Sequence, residues 1–164
     1  MRLSTKGRYA VRAMVDLALH TSEGPVTRED IARRQGISAL YLAQLFAKLI
    51  KAGLVESVKG PGGGYVLSRD ARQVRASDII RAVQEPLAPA PCVDAVPRIP
   101  CPKVDDCSTY WLWKMLGDKI VEALDSVTLA ELRDQAGQPS TNWQTSETSH
   151  EPGFPYRLVA ETGR

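Results

Sequence analysis

The chain has 164 residues, 43% of them hydrophobic and 24% charged, with a formal net charge of +2. That is enough apolar material for one compact core with appendages, but no apolar run reaches the length of a membrane span; Arg12 and Asp16 break up the first apolar stretch and no small-residue cleavage site follows, which argues against a signal peptide, so the cytoplasm is the expected compartment. Three cysteines, all between positions 92 and 107, cannot close a secreted disulfide framework and read as reduced thiols or metal ligands.

In chain order, Ser4 to His20 sets Tyr9, Ala13, Met14, Leu17 and Ala18 along one side, the spacing of a half-buried helix. "SEGP" ends it. Thr27-Arg-Glu-Asp30 then has the form of a capping box, with Asp30 in place of the usual Glu or Gln, and the short helix it opens stops at Gly36. Ser38 can cap the next helix, which carries Leu42, Leu45, Phe46 and Leu49 on one face and ends at Gly53. "LVESVKGPGGGYVLS" reads as a two-stranded hairpin around a glycine-proline tip. Ala76 to Val83 returns to helical spacing, halted before Pro86 by "EPLAPAP". A proline-rich cysteine loop follows, then a long helix from about Thr109 to Ser126 striped by Leu112, Leu116, Ile120, Ala123 and Leu124. Thr128-Leu-Ala-Glu131 is a full capping box for a last short helix, and from Gly137 the composition is that of a disordered tail.

Two short helices across a tight turn, followed by a hairpin, give the order of a winged helix-turn-helix, a mainly α fold whose second helix reads the major groove. Tyr41 and Gln44 are placed opposite the apolar face of that helix, where Gln matches adenine N6/N7; Ser38 suits a base or a phosphate. Lys48 suits phosphates. At the hairpin tip Lys59, Gly60 and Pro61 begin a run whose uncovered backbone N–H groups can press on a phosphate backbone. Residues 1–85 hold 14 Lys/Arg against 8 Asp/Glu, while residues 86–164 hold 7 against 11. The basic half fits a polyanion such as double-stranded DNA, although a solvated surface produces the same excess. No substrate-site constellation is present, which argues against an enzyme.

Cys92, Cys101 and Cys107 are spaced C-x8-C-x5-C. Thiolates suit iron–sulfur clusters, zinc and copper(I), but this is neither a ferredoxin run nor a pair of zinc knuckles. Spacing leaves three possibilities open: a cluster, a structural zinc completed by a carboxylate, and a metal-free redox-reactive loop.

"MRLSTKGRYAVRAMVDLAL", "QGIS", "YLAQLFAKLIKAGLVESVKGPGGGY" and the clustered cysteines together resemble the iron–sulfur cluster regulators of bacteria, the IscR-type winged-helix repressors, over roughly residues 1–135. The resemblance implies a homodimeric transcription factor that crosses its long C-terminal helix to the partner; a dimeric helix-turn-helix protein is expected to bind a pseudo-palindromic operator, and Trp111 and Trp113 are expected to pack in the dimer or loop interface. It implies DNA contacts at Ser38, Tyr41, Gln44, Lys59, Gly60 and Pro61. It also implies a cluster on Cys92, Cys101 and Cys107, with 2Fe–2S preferred to 4Fe–4S and zinc as the alternative metal. Three departures stand out. Ala43 occupies the place of an acidic residue, Tyr110 that of a ligating histidine, and Arg8 and Arg12 the first-helix positions from which other relatives recruit a ligand. Asp105 and Asp106, or an exogenous group, are the remaining candidates for the fourth ligand.

The expected organisation is a DNA-binding domain over 1–85, a cluster-binding loop over 86–108, a dimerisation helix with a short terminal helix over 109–136, and the tail from 137. The competing functions are a winged-helix regulator of a metabolite or partner protein, with zinc or no metal, and an iron–sulfur electron carrier.

Overall fold

The computed structural model describes residues 4–94 and 101–136. The tail expected from Gly137 lies outside these residues, as does the centre of the cysteine loop. The elements run α1 (Thr5–His20), α2 (Arg28–Gln35), α3 (Ala39–Lys51), β1 (Val55–Val58), β2 (Gly64–Leu67), α4 (Ala76–Ala82), α5 (Tyr110–Asp125) and α6 (Leu129–Gln135), with short 3-10 turns at 21–23, 71–73 and 91–93.

Local chemistry sets the helix starts. The Ser4, Thr27 and Ser38 hydroxyls accept the Lys6, Asp30 and Tyr41 amides at 3.1, 3.1 and 3.2 Å. Asp30 does not close the box on the Thr27 backbone amide, and instead accepts the Thr27 hydroxyl at 2.7 Å. At Thr128 the longer Glu131 completes the box, accepting the Thr128 amide at 2.7 Å.

Helices α1 to α4 enclose one core around Met14, Leu17, Ile31, Leu42, Leu45, Phe46, Leu49 and Ile79, all fully buried. The last helix returns to it. Leu129 is fully buried there, and the backbone around it is pinned by Leu129 N–H to Val74 O at 2.8 Å and Ala76 N–H to Val127 O at 2.9 Å. Burying that leucine contributes roughly 1.5–3 kcal/mol. Helix α5 stands between, contributing no buried residue of its own. It is held at its C-terminal end, where buried Ser77 donates to the Asp125 carboxylate and Arg81 pairs with the same oxygen at 3.5 Å.

β1 and β2 pair antiparallel, Val55 opposite Leu67 and Val58 opposite Gly64. The hairpin is docked by Val26, whose amide and carbonyl exchange hydrogen bonds with Tyr65 at 2.9 and 2.8 Å. Gly64 permits this approach, since a Cβ there would lie 2.5 Å from the Val26 carbonyl oxygen. Tyr65 then stacks on Phe46 of α3, ring centres 4.2 Å apart. The orientation of the wing relative to α3 is therefore fixed from the core outward. No helix among the described residues is long and apolar enough to cross a membrane.

Candidate nucleic-acid interface and cysteine loop

Helix α3 presents Leu40, Gln44, Ala47 and Lys51 to solvent, one side of the cylinder opposite Leu42, Leu45, Phe46 and Leu49. Ser38 is exposed at its start. Tyr41 differs from the sequence expectation. It is half-buried, with its ring edge-on to Tyr9 of α1 at 6.1 Å, so it braces the helix as well as bordering the exposed side. Lys48 is also half-buried, with Nζ 3.5 Å from Gln84 Oε1. At the wing tip Lys59, Gly60 and Pro61 are all exposed. Gly60 has φ 101°, a conformation open to glycine and strained for other residues, and it lets its carbonyl close the turn onto the Gly63 amide at 2.9 Å.

The turn before α3 is braced by charge. Asp16 of α1, 1% exposed, receives Arg34 through Nε and Nη2, the shortest contact 2.6 Å, and Gln35 Nε2 at 2.8 Å. Arg12 caps the end of α2 through the Gln35 carbonyl at 2.7 Å while lying over the Tyr9 ring. Its guanidinium is thus occupied holding the helix-turn-helix together.

Cys92, Cys101 and Cys107 are half-buried free thiols. Cys107 lies 3.4 Å from the Thr109 hydroxyl. That contact, with the backbone N–H groups of Thr109 and Tyr110 and the charge of Lys103, holds the thiol below its usual range despite some opposition from burial. Cysteine sulfur is a soft donor, so three free thiols on one segment fit a soft metal or cluster. Among the described residues, however, no three His, Cys, Asp or Glu side chains are gathered into a metal site. The loop supplies the donors without pre-assembling them. Tyr110 is the first residue of α5.

The loop is wired to the DNA-reading half at Gln84 and Glu85, which the sequence marked only as the end of a helix. Gln84 is left-handed at φ 59°; its carbonyl accepts Lys6 Nζ at 3.0 Å and its side chain faces Lys48 of α3. Glu85 is 8% exposed and grips Ser4 at the head of α1. Pro89, a few residues on, abuts α5, where a Cβ on Gly117 would come within 3.2 Å of its ring.

Comparison with known proteins decides the family. The model of "Rrf2: Iron-dependent Transcriptional regulator" matches residues 3–135. The chain belongs to the Rrf2 family. Among curated relatives, the HTH-type transcriptional regulator IscR of Photorhabdus laumondii is 51% identical over 132 residues, covering 80% of this chain and 79% of the relative. Its counterpart in Pectobacterium atrosepticum is 50% identical over the same shares. Among solved structures, T. potens IscR superposes with a TM-score of 0.67 at 43% identity, covering 83% of this chain and 88% of that one. CymR of B. subtilis superposes at 0.65 with 36% identity, covering 82% and 97%. This Rrf2 chain is accordingly an IscR-type, DNA-binding winged-helix transcriptional regulator and not an enzyme.

Proposed function

We propose that this Rrf2 chain is a cytoplasmic homodimer that binds a pseudo-palindromic operator with an affinity set by an iron–sulfur cluster on Cys92, Cys101 and Cys107. The observation that carries this is the set of three free, half-buried thiols on one segment between α4 and α5, on a scaffold half identical to IscR regulators. A bound cluster supplies a crosslink of the loop that oxidants can dissolve. Everything else falls to the chain. Cys107, 3.4 Å from the Thr109 hydroxyl, is one of the three thiols that would ligate the cluster. Asp105 or Asp106, or an exogenous group, takes the last position, because both aspartates neighbour Cys107 while the Arg12 guanidinium has no free lone pair and is committed to Gln35. A 2Fe–2S cluster is the preferred form.

Gathering three thiols shortens the path between Glu85 and Tyr110. One end of that path is tied to Ser4 and Lys6 of α1 and, through Gln84, to Lys48 of α3. The other end starts α5. Ordering the loop thereby biases how α5 of one protomer meets its partner and how the two α3 helices are presented. DNA contact falls to Ser38, Tyr41 and Gln44 at the bases, and to Lys48 and the wing tip Lys59–Gly60–Pro61 at the backbone.

A second reading has one observation behind it. CymR, the global cysteine regulator of B. subtilis, shares this fold at 36% identity, so a regulator named for a metabolite uses the same scaffold. Iron and acid-labile sulfide analysis of protein purified without oxygen separates the two. Iron and sulfide in equal amounts, lost on Cys→Ala substitution, support the cluster; zinc or no metal supports the second reading.

A further inference from the structure

Among the described residues Leu40 is the most exposed of the large apolar side chains, at 74%, ahead even of Trp111 at 72%. It is the second residue of α3 and does nothing for the core, which α3 meets through Leu42, Leu45, Phe46 and Leu49. An isobutyl group held in water gains nothing for folding, and a basic helix built to meet a polyanion has no evident need of it. Its position is specific. Leu40 stands four residues before exposed Gln44, so the two side chains are stacked neighbours on one side of the helix. Two residues earlier, Ser38 caps the helix through the Tyr41 amide, which fixes the first turn as ordered structure.

A recognition helix enters the major groove with its N-terminal residues against the base edges. In that groove the one alkyl group that the bases present is the C5-methyl of thymine. We infer that Leu40 is a specificity-determining residue that packs on the C5-methyl of a thymine beside the base pair read by Gln44. The inference rests on the DNA-reading role of α3 proposed above and adds to it a base preference that hydrogen bonding cannot supply. The apolar part of the reading is placed a full helical turn from the polar part, so the two act on neighbouring base pairs.

The test uses the full chain and a duplex enriched by it from a random pool. Each thymine of a half-site is replaced in turn by deoxyuridine, which removes only the methyl group. One position per half-site should weaken binding by about fourfold, the effect of withdrawing one buried methyl group. Leu40→Ala should bind the unsubstituted duplex more weakly, melt like the parent, and no longer feel that uridine. Leu40→Met should retain the sensitivity, and Lys59→Ala should keep it while weakening all duplexes. The inference is overturned if no thymine position matters, if the uridine penalty persists in Leu40→Ala, or if Leu40→Ala weakens every duplex alike. In those cases sequence-selective enrichment by the parent protein still upholds the DNA-reading function. Failure to enrich any duplex would instead remove that function, and this inference with it.

Discussion

Glu85 closes on Ser4 through both carboxylate oxygens, Oε1 taking the Ser4 amide at 2.7 Å and Oε2 its hydroxyl at 2.6 Å. Lys6 adds its charge at 3.7 Å. The residue at which the winged helix gives way to the cysteine loop is thereby fastened to the first turn of α1. Gly7 makes room for it, since a Cβ there would lie 3.3 Å from Glu85 Cγ.

A pH dependence follows. Burial alone would raise the Glu85 carboxyl, but the Ser4 hydroxyl and amide and the Lys6 ammonium outweigh it and hold the pKa below the usual value. The stabilisation is therefore complete above the ordinary carboxylate range and is lost as pH falls through the lowered folded value. At neutral pH Glu85→Gln should cost about 2 kcal/mol, the scale of hydrogen bonds to a charged group. Denaturant unfolding across an acid series should show the gap between parent and variant closing below pH ~4. A gap that is constant with pH would mean the carboxylate charge is not what matters.

Asp16 and Arg34 form the second long-range tie, and here the partners lie in α1 and α2. Asp16→Ala leaves a guanidinium and the Gln35 amide without their acceptor in a shielded site. It should destabilise by about 3 kcal/mol, the range for breaking a largely buried pair. Because the same residues flank the turn before α3, operator affinity should also fall at temperatures where the variant remains folded. Chemical denaturation alongside DNA titration checks both; a loss of stability with unchanged affinity would confine the pair to folding.

How much of this was legible beforehand follows from the range of each interaction. The caps at Thr27, Ser38 and Thr128 involve three neighbouring residues, and they stand where the sequence placed them. The apolar face of α3 and the hairpin are periodic signals and were equally readable. Leu40 was readable too, as an apolar residue off that face, but only solvent exposure makes it conspicuous. Burial of Glu85, the return of Leu129 to the core and the lean of Tyr41 onto Tyr9 were not readable, because each depends on partners distant in the chain. "EPLAPAP" announces a break and says nothing about a carboxylate folding back across 81 residues to Ser4. The cysteines were legible as donors, whereas their assembly about one centre is not built into the described residues.

The proposed polar DNA contacts are separable by what they would read. Gln44→Ala should shift the preferred operator sequence with a loss of about 1–3 kcal/mol at one base pair. Lys59→Ala should weaken all sequences and lower the salt slope by about 1 for each wing engaged. Binding titrations at several salt concentrations on enriched and scrambled duplexes distinguish them. Uniform weakening by both substitutions would contradict a base-reading role for Gln44.

Helix α5 leaves Trp111, Leu112, Trp113, Met115 and Leu116 substantially exposed and has no buried residue, and exposed apolar surface on this scale is of the kind a second copy covers. If the proposed dimer forms through α5, Leu116→Glu should sediment as a monomer while the winged helix stays folded, because α6 rather than α5 seals its core. A parent protein that is monomeric at micromolar concentration with its metal site loaded would contradict the dimer.

The most direct measurement compares operator affinity in three samples: the parent purified without oxygen, the same sample after its iron is removed, and the Cys92→Ala, Cys101→Ala, Cys107→Ala triple variant. Iron, sulfide and visible absorption are recorded on each. Control of DNA binding by a cluster on these thiols predicts iron and sulfide in the first sample only. It predicts affinities differing by about tenfold between loaded and stripped parent, in the usual range of allosteric coupling. The triple variant should match the stripped parent whether or not iron is offered. Equal affinities for loaded and stripped protein, or iron retained by the triple variant, would contradict it.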